Sequence, residues 1–224
     1  MKNSRERSGD SFRLWNRAVI DLPQGYAYDR GFIRQVECQE FEYDETYKAR
    51  QSTNEAMSYF RLGWLAAHIP YREWSDMNVV DIGCGSGEFI KYASDKFAKV
   101  CGYDLCGNSI TRDELMSSSW DIVVLSDVLE HFDHINELFD MKWVYALVSF
   151  PETPDFETFE EMKKWRHFKP NEHLWYLHSE GLRHWLEKEH PDTVMVSSGN
   201  FEDAIRTRWD PELPNISTVL LKRD

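Results

Sequence analysis

The stretch VVDIGCGSGEFI, Val79 to Ile90, constrains the fold of this chain more than any other. β-Branched residues run up to an acid, glycines follow at alternate positions, and helix-compatible sequence begins at once. A strand that feeds a helix through so tight a turn needs backbone conformations that glycine reaches freely. Such a turn opens a strand–helix–strand unit and lets the backbone approach a nucleotide closely. Which nucleotide it holds depends on the residues around the glycines.

From Met77 onward, strand-like and helix-like segments alternate. The strand-like ones are Asn78–Ile82, Lys99–Tyr103, Asp121–Ser126, Val144–Phe150, Thr193–Ser197 and Ile216–Leu221. A helix fits Gly87–Phe97 with Phe89, Ile90, Ala93 and Phe97 inward. Another fits Ser179–Glu189, with Ser179 as cap and Leu182, Trp185 and Leu186 as the apolar face. Upstream, Ser52 and Glu55 have capping-box spacing, and Ala56, Phe60, Trp64 and Ala67 share a helical face as far as Pro70. Residues 1 to about 50 are irregular, aromatic and charged. Alternation of this kind predicts an α/β sandwich around a mainly parallel sheet.

Composition narrows the function classes. The chain has 224 residues, 42% of them hydrophobic, with nine tryptophans, which suits an ordered core. No apolar run approaches the roughly 20 residues that span a bilayer, and MKNSRERSGD lacks the apolar middle of a secretion signal. The expectation is a cytoplasmic protein without membrane partners. A net charge of −13 disfavours nucleic acid, and Lys163, Lys164, Arg166 and Lys169 read as a solvated face. The four cysteines, Cys38, Cys84, Cys101 and Cys106, show no C-x-x-C spacing, so free thiols are expected rather than zinc ligands.

A dinucleotide turn requires G-x-G-x-x-G, and a triphosphate loop requires G-x-x-x-x-G-K-[ST]. Gly83, Gly85 and Gly87 instead follow G-x-G-x-G. Glu88 stands where the third dinucleotide glycine would be, aiming a carboxylate at the place of a pyrophosphate. No lysine follows the glycines before Lys91. Asp81, at the strand end, would repel a phosphate but can receive an ammonium group. S-adenosylmethionine carries an α-ammonium and a sulfonium and no phosphate, so an acidic site suits it. Asp104 ends the next strand about twenty residues on, where an acid can accept both ribose hydroxyls.

With these residues the chain resembles the class I S-adenosylmethionine-dependent methyltransferases. DIGCGSG is similar to their first motif, and GYD (Gly102–Asp104) to the acidic end of their second strand. WDIVVLSDVLEH (Trp120–His131) and VSFPETP (Val148–Pro154) resemble their fourth and fifth strands with the loops that follow. HLWYLHSEGLRHWLE (His173–Glu187) resembles a segment of small-molecule and sugar methyltransferases. The resemblance covers about residues 77 to 222. It implies a Rossmann-like sheet of about six to seven strands with helices on both faces and the last strand antiparallel. It also implies an N-terminal helical cap (1–72) ahead of a cofactor-binding domain (73–224). Its implied cofactor residues are Asp81, Gly83, Cys84, Gly85, Asp104, Leu105, Ser126 and Asp127. Only the sixteen residues Leu105–Trp120 separate Asp104 from Asp121, about half the length that the family's helix, third strand and loop need. The expectation is a sheet without that strand, leaving Lys99–Tyr103 at an edge; Asp113 and Glu114 are the acids available there for an adenine.

His131 and Glu130 are the catalytic candidates, with His131 as a general base or as a residue packing the next segment. His167, His173 and His178 read as structural when taken singly. Tyr43 and Tyr47 resemble a segment that closes over the cofactor in some relatives, or pack as cap aromatics. DVLEH (Asp127–His131) resembles the E-x-x-E-H of metal-using relatives. If it starts a helix, Asp127, Glu130 and His131 share a face and His173 completes a set; a divalent metal is thus an option but not the favoured one. The expected acceptor is a small molecule or a sugar. The alternatives are a metal-assisted 2′-O-methyltransferase of an RNA 3′ end and a catalytically silent cofactor-binding partner protein.

Overall fold

A computed structural model describes residues 19–41, 55–105, 109–205 and 215–224. Ser52, Tyr43, Tyr47 and Cys106 lie outside the described residues. In chain order come β1 (Tyr26–Asp29), β2 (Phe32–Gln35), α1 (Glu55–His68), β3 (Asn78–Ile82), α2 (Glu88–Ala93), β4 (Lys99–Tyr103), α3 (Arg112–Ser117) and β5 (Ser119–Ser126). Then follow α4 (Glu137–Asp140), β6 (Lys142–Pro151), α5 (Phe159–Met162), β7 (Trp175–Tyr176), α6 (Ser179–Glu189), β8 (Thr193–Gly199), α7 (Phe201–Ile205) and β9 (Ile216–Arg223).

Six strands form one sheet in the order β4-β3-β5-β6-β9-β8. β3 pairs in parallel with β4 and β5, and β5 with β6, whereas β9 runs antiparallel between β6 and β8. This is the Rossmann-like sheet with its last strand antiparallel. The alternation of each strand divides the core in two. Val80, Ile82, Val123, Leu125, Ala146 and Val148 face one side with Leu182, Trp185 and Leu186 of α6. Val79, Ile122, Val124, Leu147 and Leu220 face the other, under Leu62 and Leu65 of α1 and Phe89 and Ala93 of α2.

β4 is an edge strand among the described residues, and between Asp104 and β5 they form only α3, with no strand. Thr111 closes that short helix with a capping box: its hydroxyl accepts from Glu114 N, and the Glu114 carboxylate accepts from Thr111 N and Oγ1. Glu114 is therefore engaged by the helix end. Six residues cannot hold a helix by propensity alone. Thr111→Ala is accordingly expected to lower unfolding free energy by about 1 kcal/mol, read as a fall in the urea midpoint at unchanged slope.

Three expectations are corrected. The buried face of α1 is Met57, Ser58, Arg61, Leu62 and Leu65; Ala56 and Ala67 are exposed. Phe60 and Trp64 are half-buried and meet Phe201 of α7 instead. The helix touches two neighbours, so a single stripe of spacings did not find the side against the sheet. α2 ends at Ala93 rather than Phe97, although Phe97 is still buried, stacked on Trp74. The cap of α6 is His178, whose Nδ1 accepts from Gly181 N, while Ser179 N donates to Glu152.

The N-terminal region contributes more than the helix α1. β1 and β2 form a hairpin whose two-residue turn, Arg30 and Gly31, has positive φ at both positions, the geometry that matches strand twist. β2 pairs with β7, so a three-stranded antiparallel sheet lies beside the main one. Its core combines Tyr26, Tyr28, Ile33 and Tyr176 with Met162, Phe159 and Phe168.

Candidate active site

The site lies where the chain leaves β3 for one neighbour and returns to β5 on the other side, at the C-terminal strand ends. Gly83, Gly85 and Gly87 all have positive φ (70°, 52° and 76°). Gly83 N donates to Tyr103 O at 2.7 Å, and Gly85 N donates to Asp104 Oδ2 at 2.9 Å. The turn is thus tied to the end of β4, and Asp81 and Asp104 flank it.

Asp81 is buried, and burial lifts its pKa to about 7, against the pull of the nearby Arg61 charge and with a further push from Asp104. Burial followed by the charges of Asp81 and Asp104 raises the Cys84 thiol to about 12. That thiol stays neutral and is no nucleophile. Leu105 is 74% exposed beside the turn. Ser126 ends β5 and Asp127 follows it, both half-buried, and Asp127 N donates to Ser149 O at 2.9 Å.

DVLEH does not start an α-helix. Asp127 has φ +53°, and only Leu129–His131 turn, as a single 3-10 turn. The shared-face argument for Asp127, Glu130 and His131 therefore fails. Packing brings together a different set: donor atoms of Glu130, His131 and His173 lie within 4.8 Å of one another. His173 comes from the loop before β7, and its ring meets that of His131 edge-on at 4.9 Å. Leu174 N donates to Glu130 O at 2.8 Å and fastens that loop to the turn.

The electrostatics of this cluster are unusual. Glu130 is 1% exposed, and among the described residues neither carboxylate oxygen has a hydrogen-bond partner. Its pKa lies well above the carboxylate range, first through burial and then through the charge of Asp127. His131 Nδ1 is 2.8 Å from Glu172 O. A carbonyl can only accept, so Nδ1 carries the proton and Nε2 presents its lone pair, 3.8 Å from Glu130 Oε1. Burial lowers the pKa of His131, and it lowers that of His173 to about 2, with His131 and Lys169 adding to the effect. Both rings are therefore neutral at neutral pH. His167 meets Asn215 Oδ1 through Nε2 at 2.6 Å, and His178 caps α6 and packs on Phe32.

Because burial raises the Glu130 pKa, the folded chain holds a proton that the unfolded chain releases above about pH 4.5. The stability from that group is present below this pH and is lost as pH rises. Glu130→Gln is thus expected to stabilise the metal-free protein at pH 7.5 by about 1–3 kcal/mol. Thermal unfolding at pH 5 and 7.5 checks this, since a variant no more stable at the higher pH contradicts it.

Sequence reasoning passed over Arg61, Ser149 and Glu202. Arg61 Nε donates to Glu202 Oε1 at 3.1 Å, and Ser149 Oγ donates to the same oxygen at 3.0 Å. The side chains of Arg61 and Glu202 are 6% and 0% exposed. The only signal was an arginine on the helix face that proves to be buried.

An open α/β sheet, an acid-flanked glycine turn and a cluster of neutral imidazoles at the strand ends define a nucleotide-cofactor enzyme. The sequence profile of the methyltransferase-domain family matches residues 55–189, and the chain belongs to that family, in the class I S-adenosylmethionine-dependent group. No curated protein matches the chain significantly. Among solved structures, the chain is similar to the 1,6-didemethyltoxoflavin-N1-methyltransferase of Burkholderia thailandensis, solved with 1,6-didemethyltoxoflavin and S-adenosylhomocysteine. That likeness has a TM-score of 0.53 and 13% identity over 88% of this chain and 98% of that one. It is also similar to the magnesium protoporphyrin IX methyltransferase of Synechocystis PCC 6803 with bound S-adenosylhomocysteine (TM-score 0.50, 17% identity, 83% and 90% covered). At these identities the likeness is one of fold.

Proposed function

We propose that the chain passes the methyl group of S-adenosylmethionine to a small-molecule or sugar-type acceptor held over the C-terminal ends of β5 and β6. The observation that carries this reading is the positive-φ glycine turn with an acid on each of two adjacent strands, Asp81 and Asp104. Asp81 takes the α-ammonium, Asp104 the ribose hydroxyls, and Gly83, Cys84, Gly85, Leu105, Ser126 and Asp127 line the cofactor. The acceptor lone pair displaces neutral S-adenosylhomocysteine in line, and the acceptor proton passes to His131 Nε2. His131 is neutral and so ready to accept it, while Glu130 faces the imidazolium that forms. Residues 1–72 act as a cap and 73–224 as the transferase domain. Two exposed lysines of the basic stretch are paired, Lys163 with Glu160 and Lys169 with Glu172, which favours a small acceptor over RNA. Free thiols at Cys38, Cys84 and Cys101 suit a cytoplasmic setting, and no helix among the described residues is long and apolar enough to cross a membrane.

A second reading adds a divalent cation held by Glu130, His131 and His173, and a buried carboxylate with no hydrogen bond among the described residues favours it. Two imidazoles and one carboxylate suit zinc, iron or manganese better than magnesium. Such an ion, when bound, acidifies an acceptor hydroxyl.

The test of the cofactor reading is calorimetric titration with S-adenosylhomocysteine from pH 5.5 to 8.5. Only ionised Asp81 holds the ammonium, so affinity is expected to rise with pH through about 7 and then level off. Asp81→Asn is expected to weaken binding by about tenfold or more at pH 8 and to flatten the profile. Absence of binding by the wild type ends the reading, and binding without transfer to any acceptor points to the silent partner.

A further inference from the structure

A row of three imidazoles lies across the C-terminal ends of β5 and β6. His131 follows β5, and its ring meets that of His173 at 4.9 Å. His173 lies 6.5 Å from the ring of His167 and nearly parallel to it. His167 is placed over β6, because its partner Asn215 accepts from the backbone N of Glu152, the residue that follows this strand. Asp127 is close enough for its charge to act on all three rings.

The groups behind His167 settle its tautomer. Asp203 is 1% exposed, and its carboxylate accepts from Asn215 N at 2.9 Å, Asn215 Nδ2 at 3.1 Å and Ile216 N at 3.2 Å. Asn215 therefore turns Oδ1 toward His167 Nε2, 2.6 Å away, and an amide oxygen only accepts. Nε2 must carry the proton, which leaves a lone pair on Nδ1 of the neutral ring. Burial favours that neutral form. His167 is 8% exposed, and among the described residues its Nδ1 makes no hydrogen bond. An enclosed acceptor calls for a donor, and proton transfer to His131 makes no use of this one.

We propose that His167 Nδ1 accepts a hydrogen bond from a second hydroxyl of the acceptor, so that the acceptor is a 1,2-diol, methylated on one hydroxyl at His131 and held by its neighbour at His167. Hydroxyls on adjacent carbons lie about 2.8 Å apart and a hydrogen bond at each adds about as much, a span that suits two imidazoles separated by a third. The proposal rests on the small-acceptor reading above. A purely structural His167 would leave the number of acceptor hydroxyls without effect.

The test measures methyl transfer to catechol against phenol, and to trans-cyclohexane-1,2-diol against cyclohexanol. In at least one pair the diol is expected to exceed the mono-alcohol in kcat/KM by about tenfold, the value of a hydrogen bond to a buried acceptor. The pair that shows it tells an aromatic from a saturated, sugar-like acceptor. His167→Phe is expected to erase the preference through KM, with S-adenosylhomocysteine affinity within about threefold of wild type. His167→Gln, which can donate to Asn215 and still accept, is expected to restore part of it. Nitrogen-15 spectra of the wild-type imidazoles need no variant: the proton should sit on His167 Nε2, and the diol but not the mono-alcohol should shift Nδ1. Equal rates within both pairs, transfer to none of the four probes, a preference that survives His167→Phe, or a proton on Nδ1 each overturn the proposal, and unchanged S-adenosylhomocysteine binding then shows that the cofactor reading stands. A wild type that binds no S-adenosylhomocysteine removes both together.

Discussion

Gly83→Val is expected to abolish detectable S-adenosylhomocysteine binding and to destabilise the fold by about 2–6 kcal/mol. Two costs add at this position. Gly83 has φ +70°, a conformation in which a β-branched residue is strained by about 1–3 kcal/mol. A Cβ there also runs into the side chain of Val128, which leads into the Leu129–His131 turn, and overpacking costs about 1–3 kcal/mol more. Relief requires the turn to move, which breaks the Gly83 N to Tyr103 O bond and shifts Asp81 relative to Asp104. Thermal unfolding and calorimetry on the same sample check both parts. A variant that melts and binds like wild type removes the turn from the site.

His131→Ala is expected to lower the rate of methyl transfer by about 10²- to 10⁴-fold, the range for a lost general base. The affinity for S-adenosylhomocysteine should stay within about threefold, because the role proposed for His131 is toward the acceptor. The base works in its neutral form. Wild-type kcat should therefore fall as pH drops through the His131 pKa, which burial places below 6.5, and should be level at neutral pH. Stability follows the same sign. The unfolded chain binds the proton more readily, so the contribution of His131 is complete above about pH 6.5 and is lost on acidification. Chelator-stripped enzyme separates base from metal. Activity that survives stripping but not His131→Ala belongs to the base, and activity restored by zinc, iron or manganese belongs to the Glu130, His131 and His173 set. Transfer that ignores both treatments eliminates this cluster from catalysis.

The glycine turn, the acids Asp81 and Asp104 and the lack, among the described residues, of a strand between Asp104 and β5 were legible because each depends on local sequence. Positive φ calls for glycine, an acid ends a strand, and a segment of fixed length either can or cannot hold a helix and a strand. DVLEH shows where such reading stops. Helical spacing would have grouped Asp127 with Glu130 and His131, but Asp127 takes a left-handed conformation and the segment makes one 3-10 turn. His173 joins the cluster from 42 positions further along, carried there by the bond from Leu174 N to Glu130 O and by the pairing of β7 with β2.

The sequence by itself determined the strand–turn–helix at residues 79–90, the alternation that makes the sheet mostly parallel, and the acid character that excludes a phosphate. Those properties are written in neighbouring residues and in the periods of strand and helix. Only the tertiary structure decided that Arg61 of α1, Ser149 of β6 and Glu202 of α7 meet in one buried network, and that Glu130 is enclosed with two neutral imidazoles. Burial and charge pairing are properties of what packs against a residue. The residues that pack here lie 141 positions apart for Arg61 and Glu202, and no local pattern encodes that meeting.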